Sequence, residues 1–127
     1  MFSTQILVQQ MARGLAKHAA AQQVEVAKNL ANADTPGYRA RRLTGFAEMI
    51  GDPAPGPRAS RASHLQRPAD YRFEAREERG NGNPNDNSVS LEAEMTQAAW
   101  ARQSHDMALA IQSQFSDLFK AALGRRG

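Results

Sequence analysis

The residue types that usually carry acid–base or metal chemistry are sparse in this sequence, and their spacing does not suit it. The three histidines, His18, His64 and His105, are too far apart along the chain to form a helical metal-binding pair. Each is expected to be a partly exposed polar residue. The sequence has no cysteine, no Gly-rich phosphate loop and no nucleophile elbow. It therefore predicts no enzyme, no catalytic or metal-binding residue and no cofactor.

The densest charged cluster is basic and small. Residues 1–50 carry six basic and three acidic side chains, which accounts for the net charge of +3, and the cluster is Arg39, Arg41 and Arg42. A nucleic-acid-binding surface usually shows a broader basic stripe, so we interpret this cluster as a solvated turn. A helical adaptor or nucleic-acid-binding hairpin is the remote alternative, and it predicts binding that weakens steeply with salt.

The hydrophobic content of 41% hides a shortage of bulky apolar residues. The 127 residues include 23 alanines, whereas Leu, Ile, Val and Phe together number 21, or 17% of the chain. Alanine is the best helix former. The share of bulky residues is below the roughly 20% that indicates disorder when net charge is high, but the net charge here is only +3, so the chain lies on the border between globular and unfolded. No window approaches the roughly 18 apolar residues that a membrane span needs. The composition predicts helices that complete their core against other chains.

The first element is predicted to be a helix over residues 4–33. A coiled-coil-type seam runs along it at alternating spacings of four and three, formed by Val8, Ala12, Leu15, Ala19, Gln22, Val26, Asn29 and Ala33, with Met11 and Leu30 beside it. Pro36 stops the helix, and Pro36-Gly37 fits the centre of a type II turn. Either Asn32 or Asp34 is expected to close the last helical turn. Residues 39–50 fit a short helix or a β-like excursion equally well.

Residues 51–90 differ in kind, because they hold five of the six prolines and four of the nine glycines. They are expected to be a mobile loop in which residues 71–73, alternating Tyr-Arg-Phe, fit a short strand. A second helix is predicted over residues 89–123, with Ser90 as N-cap and Gly124 as C-cap. Its apolar residues cover two adjoining stripes. Either both stripes contact partner helices, or one stripe packs on the first helix and the other under the loop. Trp100 is expected to be a packing residue.

The predicted fold is mainly α: two long terminal helices packed as an antiparallel coiled-coil-like pair, with an irregular, disordered or partly β middle. The divisions are residues 1–38 for the first helix and its turn, 39–88 for the variable middle and 89–127 for the second helix. Both ends are expected to form one assembly domain. The seam residues expected at its interface are Leu15, Val26, Leu30, Leu91, Met95, Leu109, Ile111, Phe115, Leu118, Phe119 and Leu123.

The end of the first helix resembles the signature of bacterial flagellar basal-body rod proteins, N-[LI]-A-N-x-x-T-P-G-[YF]. The matching positions are Asn29, Leu30, Ala31, Asn32, Thr35, Pro36, Gly37 and Tyr38. Length, the His64-Leu65 step, Gly82-Asn83 and the Val89–Met95 entry to the last helix are similar to the FlgB type of proximal rod protein. The other short type, FlgC, is the alternative.

The resemblance implies a structural subunit that polymerises into the drive shaft of the flagellar motor. The implied partners are copies of itself, other rod proteins, rod-base adaptor and membrane-ring proteins, and the export apparatus, with no nucleic acid and no small-molecule substrate. The implied location is the periplasm-spanning rod, reached by type III export without a cleaved signal peptide. The start of the sequence fits this expectation, because it lacks a basic n-region and a continuous apolar h-region.

Overall fold

The computed structural model describes residues 2–51, 71–79 and 85–124. Two long helices dominate it: α1 spans Phe2–Ala31 and α3 spans Leu91–Gly124. Between them lie the strand β1 (Arg41–Leu43), the short helix α2 (Phe46–Gly51) and the strand β2 (Ala75–Glu77). Within the described residues, no helix is long and apolar enough to cross a membrane.

The two long helices pack against each other along seams of small residues. On α1 the buried line is Ala12, Ala19 and Val26, and on α3 it is Glu94, Ala101 and Ala108. Both lines repeat every seven residues, as coiled-coil seams do. The two helices are antiparallel, because Gln22 bonds to Gln97 whereas Asn29, later in α1, bonds to Glu94, earlier in α3. The predicted fold class is therefore confirmed.

The buried hydrophobic residues of the described chain are small: five alanines and Val26. Small side chains let the two helices approach closely, but each buries little apolar area, and full burial of a bulky side chain is worth about 1.5–3 kcal/mol. Much of the bulky apolar surface of α3 is exposed instead, including Leu118 and Phe119 at 67% and 63%. Trp100, which is expected to be a packing residue, is 59% exposed in the single chain, so its packing stays a prediction.

A small layer of strands and aromatic rings covers one side of α1. The segment after the turn forms both a strand, β1, and a helix, α2, which settles the choice left open for residues 39–50. β1 pairs antiparallel with β2, with Arg41 opposite Glu77. The strand predicted at residues 71–73 is wrong, since β2 begins at Ala75. The rings of Tyr71 and Phe73 pack instead as part of an aromatic cluster.

His18 belongs to this aromatic cluster and is only 6% exposed, which corrects the expectation of a partly exposed residue. Its ring centroid lies 5.7 Å from that of Phe46 and 5.3 Å from that of Phe73. Its Nε2 atom lies 2.8 Å from the Thr44 carbonyl oxygen, so in the tautomer that carries hydrogen on Nε2 it donates to that carbonyl. Burial of His18 is possible because this backbone acceptor satisfies its polar atom.

Candidate functional site

The Thr35-Pro36-Gly37-Tyr38 segment forms the tight turn that its sequence predicts. The Tyr38 amide donates to the Thr35 carbonyl at 3.3 Å, and Gly37 has a φ of 73°. Positive φ at the third position of a turn with Pro at the second is the pattern of a type II turn. Asn32, one of the two candidates, closes the preceding helix, because its backbone and side-chain N–H groups donate to the Lys28 carbonyl at 3.2 and 2.8 Å.

The turn does not direct Tyr38 away from the molecule but back to α1. The Tyr38 hydroxyl donates to Asn29 Oδ1 at 3.3 Å, and the Arg41 amide donates to the same oxygen at 2.9 Å. On the other side of the amide group, Asn29 Nδ2 donates to the Arg41 carbonyl at 2.9 Å. The Asn29 amide group thus donates to the Arg41 carbonyl and accepts from the Arg41 amide, as a neighbouring strand would, and it holds the first residue of β1 against α1.

Glu94 completes this site from the second long helix. Its side chain is fully buried, and its two carboxylate oxygens each accept from Asn29 Nδ2 at 3.2 Å. Arg42 donates to Glu94 Oε1 from Nη2 at 2.6 Å and to Glu78 Oε1 from Nε at 2.9 Å. Asn29, Tyr38, Arg42 and Glu94 together are called the polar junction below.

The electrostatics of the polar junction keep Arg42 charged. Burial acts to lower the pKa of Arg42, but the hydrogen bond and negative charge of Glu94, followed by those of Glu78, outweigh burial and raise this pKa above its usual range. A buried carboxylate is tolerable only where it is paired and hydrogen-bonded. Glu94 meets that condition through both Arg42 and Asn29, so the junction joins α1, β1 and α3 at a single point.

The other two arginines of the basic cluster are also matched with carboxylates. Arg39 Nη2 lies 3.0 Å from Asp86 Oδ2, and Arg41 Nε lies 3.8 Å from Glu25 Oε2. The distance in the second pair is too long for a hydrogen bond, and both atoms are buried. The three arginines therefore form ion pairs within the chain: Arg39 with Asp86 lies at the surface, as a solvated turn predicts, whereas Arg42 reaches the buried Glu94 and corrects that prediction.

The segment before α3 caps the end of α1. Asn87 Nδ2 donates to the carbonyl oxygens of Asn32, Ala33 and Thr35 at 2.9, 2.8 and 2.8 Å. The neighbouring Ser88 donates its amide to the Tyr38 carbonyl at 3.0 Å and accepts from the Ala40 amide on its hydroxyl at 2.6 Å. Carbonyl groups at a helix end need such partners, and here a distant segment supplies them. Ser90 begins α3 as predicted, since its carbonyl accepts from the Glu94 amide at 2.9 Å.

The family-motif residues divide between this interior and the surface. Asn29 is fully buried, Asn32 and Tyr38 are half-buried, and Leu30, Ala31 and Thr35–Gly37 are exposed. Of the predicted seam residues, Val26 is buried inside the helix pair, and Leu15, Ile111 and Phe115 are half-buried. The remaining ones are 39–67% exposed: Leu30, Leu91, Met95, Leu109, Leu118, Phe119 and Leu123. His64-Leu65 and Gly82-Asn83 lie outside the described residues.

Sequence reasoning missed the roles of Arg42, Asn87 and Glu94. Glu94 lies in the first turn of α3, where an acid favours the helix dipole, but it also lies seven residues before Ala101 and so on the buried line of α3. That spacing was the available signal. For Asn87 there was none, because its acceptors are backbone carbonyls that lie 52–55 positions earlier in the chain.

The fold is a pair of long antiparallel helices joined by the polar junction at the end where α1 finishes and α3 begins. The sequence model of the family "Flagella basal body rod protein" matches residues 12–39, from the first turns of the α1 seam to the residue after Tyr38. This match supports the rod family, which is structural and located at the flagellar basal body. The comparison with curated proteins found no match.

Proposed function

We propose that this chain is a structural subunit of the flagellar proximal rod, of the FlgB type, which polymerises into the shaft that transmits motor torque. The observation that carries the proposal is the family match itself, which covers residues 12–39. These residues include most of the α1 seam and two of the four junction residues, Asn29 and Tyr38, and Asn29 bonds to Glu94 of α3.

The exposed apolar end of α3 supports assembly with neighbouring subunits. Gln22 lies beside Gln97, so Phe2, twenty residues before Gln22, is level with Asp117 in an antiparallel pair of equal rise. The last turns of α3 then extend past the start of α1. Leu118, Phe119 and Leu123 in this extension are 61–67% exposed, and exposed apolar patches mark interaction sites. These three residues are proposed as contacts to other rod subunits, with rod-base and ring proteins as further partners.

Deleting the gene in the organism that encodes this chain tests the proposal. We expect cells without motility and without assembled rods, both restored by the wild-type gene. Complementation with each of the variants Leu118→Ser, Phe119→Ser and Leu123→Ser should restore less motility than the wild-type gene does. Each purified variant should keep its helical circular dichroism. Motile cells with normal rods after deletion would refute a rod function.

The choice between the FlgB and FlgC types needs its own experiment. A FlgB-type chain should restore motility to a strain lacking its FlgB-type rod protein and fail in a strain lacking its FlgC-type protein. The reverse result would assign the chain to the FlgC type.

A further inference from the structure

One side of the strand β2 carries backbone groups that bond to nothing in the described chain. In an antiparallel pair, the N–H and C=O groups of successive residues point alternately toward the partner strand and away from it. The Glu78 amide donates to the Ala40 carbonyl at 2.8 Å, so Glu78 and Arg76 face β1. Ala75 and Glu77 therefore direct their amides and carbonyls to the opposite side, where no described residue bonds to them. We name this side the β2 edge.

The other edge of the two-stranded sheet is closed. There the backbone N–H and C=O of Arg41 bond to the side-chain amide of Asn29, which acts as a neighbouring strand would. Among the described residues, the β2 edge is therefore the open edge of this sheet. Unpaired backbone groups along such an edge form a template on which a further strand can pair.

The two faces of the segment that contains β2 differ in character. Phe73 packs against His18 of α1 and Tyr71 lies against Gly14 of α1, so the odd-numbered side chains of this part point toward α1. The even-numbered side chains are exposed, and their charges alternate in sign: Arg72, Glu74, Arg76 and Glu78. The first three form no ion pair within the part of the chain that the structure describes, and Glu78 pairs with Arg42 through Oε1 at 2.9 Å.

This alternation of charge is self-complementary in one antiparallel register. When Ala75 lies opposite Ala75 of a second copy, Glu74 lies opposite Arg76 and Arg72 lies opposite Glu78, each twice by symmetry. A shift of two residues in one direction brings Glu74 against Glu78 and Arg76 against Arg76. A shift of two in the other direction brings Arg72 against Arg76 and Glu74 against Glu74. Opposite charges directly across antiparallel strands are favourable and like charges are unfavourable, so the charges select the register centred on Ala75.

We infer that two copies of the free chain form a closed dimer in which their β2 edges pair antiparallel around Ala75. The Ala75 amide of each copy donates to the Ala75 carbonyl of the other, and the two small sheets become one sheet of four strands. A contact of one surface with itself is isologous, and it closes without leaving an edge for a third copy. The dimer is thus a state of the free chain, unlike the contacts that extend a shaft, and the inference does not rest on the proposed function.

The rival explanation is that the charges protect an open edge from pairing, as charged side chains on edge strands do. Protection is strongest when the charges that come to lie opposite each other have the same sign. In the register centred on Ala75, Arg72, Glu74, Arg76 and Glu78 all meet charges of opposite sign. The two explanations predict different behaviour of the purified chain, because protection requires a monomer at every concentration.

Two single charge reversals in the full chain test the inference, Glu74→Arg and Arg76→Glu. Sedimentation velocity over a range of concentrations at low salt measures the dimer, resolved from any larger species, after circular dichroism shows that the helices are retained. Wild type should dimerise. Each variant alone should dimerise at least about tenfold more weakly, because two pairs of opposite charge become two pairs of like charge.

An equimolar mixture of the two variants is the decisive sample. In the mixed dimer both arginines of one copy lie opposite both glutamates of the other, so dimerisation should return to about the wild-type level. The double variant Glu74→Arg with Arg76→Glu should recover by itself for the same reason. Matched controls are Glu77→Arg and Arg79→Glu, which change the net charge equally but lie opposite the uncharged Phe73 and Tyr71 in this register. They should dimerise like wild type.

A third variant, Ala75→Pro, tests the backbone pairing without changing any charge. Proline has no N–H and is tolerated in an edge strand where the N–H faces away from the partner strand. The variant should dimerise at least about tenfold more weakly, since both central hydrogen bonds of the dimer lose their donors. Hydrogen exchange at the Glu78 amide, which bonds to Ala40, should stay as slow as in the wild-type monomer and so show that β1 and β2 remain paired.

Four results would overturn the inference: a wild-type chain that stays monomeric at every concentration, charge variants that dimerise like wild type, a mixture that does not recover, and an unimpaired Ala75→Pro variant. None of these decides the rod function, which depends on motility and rod assembly after gene deletion. Non-motile deletion cells together with a monomeric wild-type chain would refute the β2-edge dimer alone. Motile deletion cells together with recovery in the mixture would refute the rod function alone.

Discussion

The side-chain amide nitrogen of Asn29 lies 3.2 Å from both carboxylate oxygens of Glu94, and both residues are fully buried. Asn29 lies near the end of α1 and Glu94 in the first turn of α3, with 65 positions between them in the chain. The pair therefore ties together the two terminal helices. The same amide group bonds both backbone polar groups of Arg41, so the strand layer is fixed by the same residue.

Replacement of Asn29 by Ala should lower the free energy of unfolding by about 2–4 kcal/mol, because buried polar groups of Arg41 and Glu94 lose partners. Urea unfolding followed by circular dichroism measures the loss. Asn32→Ala is the matched control, since its side chain lies in an exposed hydrogen-bonded pair with Lys28 and should cost about 1 kcal/mol or less. Equal losses in both variants would contradict the central place of Asn29.

Replacement of Glu94 by Gln should cost about 3 kcal/mol, because it leaves the Arg42 charge in a largely buried site without its closest counter-charge. Adding Arg42→Met to this variant should recover part of the loss, since the unpaired charge is removed. Glu92→Gln, two residues away and exposed, should cost less than about 1 kcal/mol through the helix dipole. Failure of Arg42→Met to recover any stability would argue against the ion pair as the cause.

The contribution of Arg42 to stability should not change between pH 6 and pH 9. Its folded pKa is raised, so its stabilising contribution is complete below the unfolded pKa of arginine, which lies far above pH 9, and is lost only as pH rises through the still higher folded pKa. Unfolding free energies of wild type and Arg42→Met at pH 6, 7.5 and 9 measure this contribution as a difference. A difference that shrinks steadily across this range would show that the pairing depends on some other titrating group.

Replacement of Asn87 by Ala should lower stability by about 1–3 kcal/mol and loosen the end of α1, because three backbone carbonyls lose their shared donor. Hydrogen exchange should be faster at the Thr35 and Gly37 amides than in wild type. Asn85→Ala is the control, because Asn85 is exposed and contributes a backbone carbonyl to Gly37 that the substitution keeps. Unchanged exchange in Asn87→Ala would show that the turn holds α1 without this cap.

Replacement of Gly14 by Ala should destabilise the chain by about 1–3 kcal/mol, opposite to the gain of up to 1 kcal/mol usual for this change inside a helix. A Cβ atom at this position would come closest to Tyr71 Cε2, and it would lie 2.7 Å from Tyr71 Cδ2 and 3.1 Å from Phe46 Cζ. In the background of Tyr71→Ala the same substitution should become neutral or stabilising, because the obstructing ring is gone. Thermal unfolding of the four variants in this cycle gives the sign directly. A stabilising effect with Tyr71 present would show that the aromatic cluster does not press against α1.

The local features of this fold follow from sequence because each depends on near neighbours. Seven-residue spacing placed Ala12, Ala19 and Val26 on the buried line of α1, and Pro36 with Gly37 predicted the turn that ends it. The helices predicted over residues 4–33 and 89–123 are observed over Phe2–Ala31 and Leu91–Gly124, so their ends differ by at most two residues. At the end of α1, hydrogen bonds from Asn32 to the Lys28 carbonyl close the helix before Ala33.

The tertiary structure alone decided which polar residues meet. The seven-residue spacing of Glu94 to Ala101 indicates that Glu94 is buried, but no local pattern of Arg42, Asn87 or Glu94 indicates its partners. Those partners lie tens of residues away, and neither helical period nor turn chemistry encodes such a distance. Burial then reversed the expectation for His18, whose ring is covered by Phe46 and Phe73 once the strand layer folds over α1. The sequence by itself determined the two helices and their small-residue seams. Only the folded chain determined the polar junction, since a buried charge is stable where several distant segments supply its partners together.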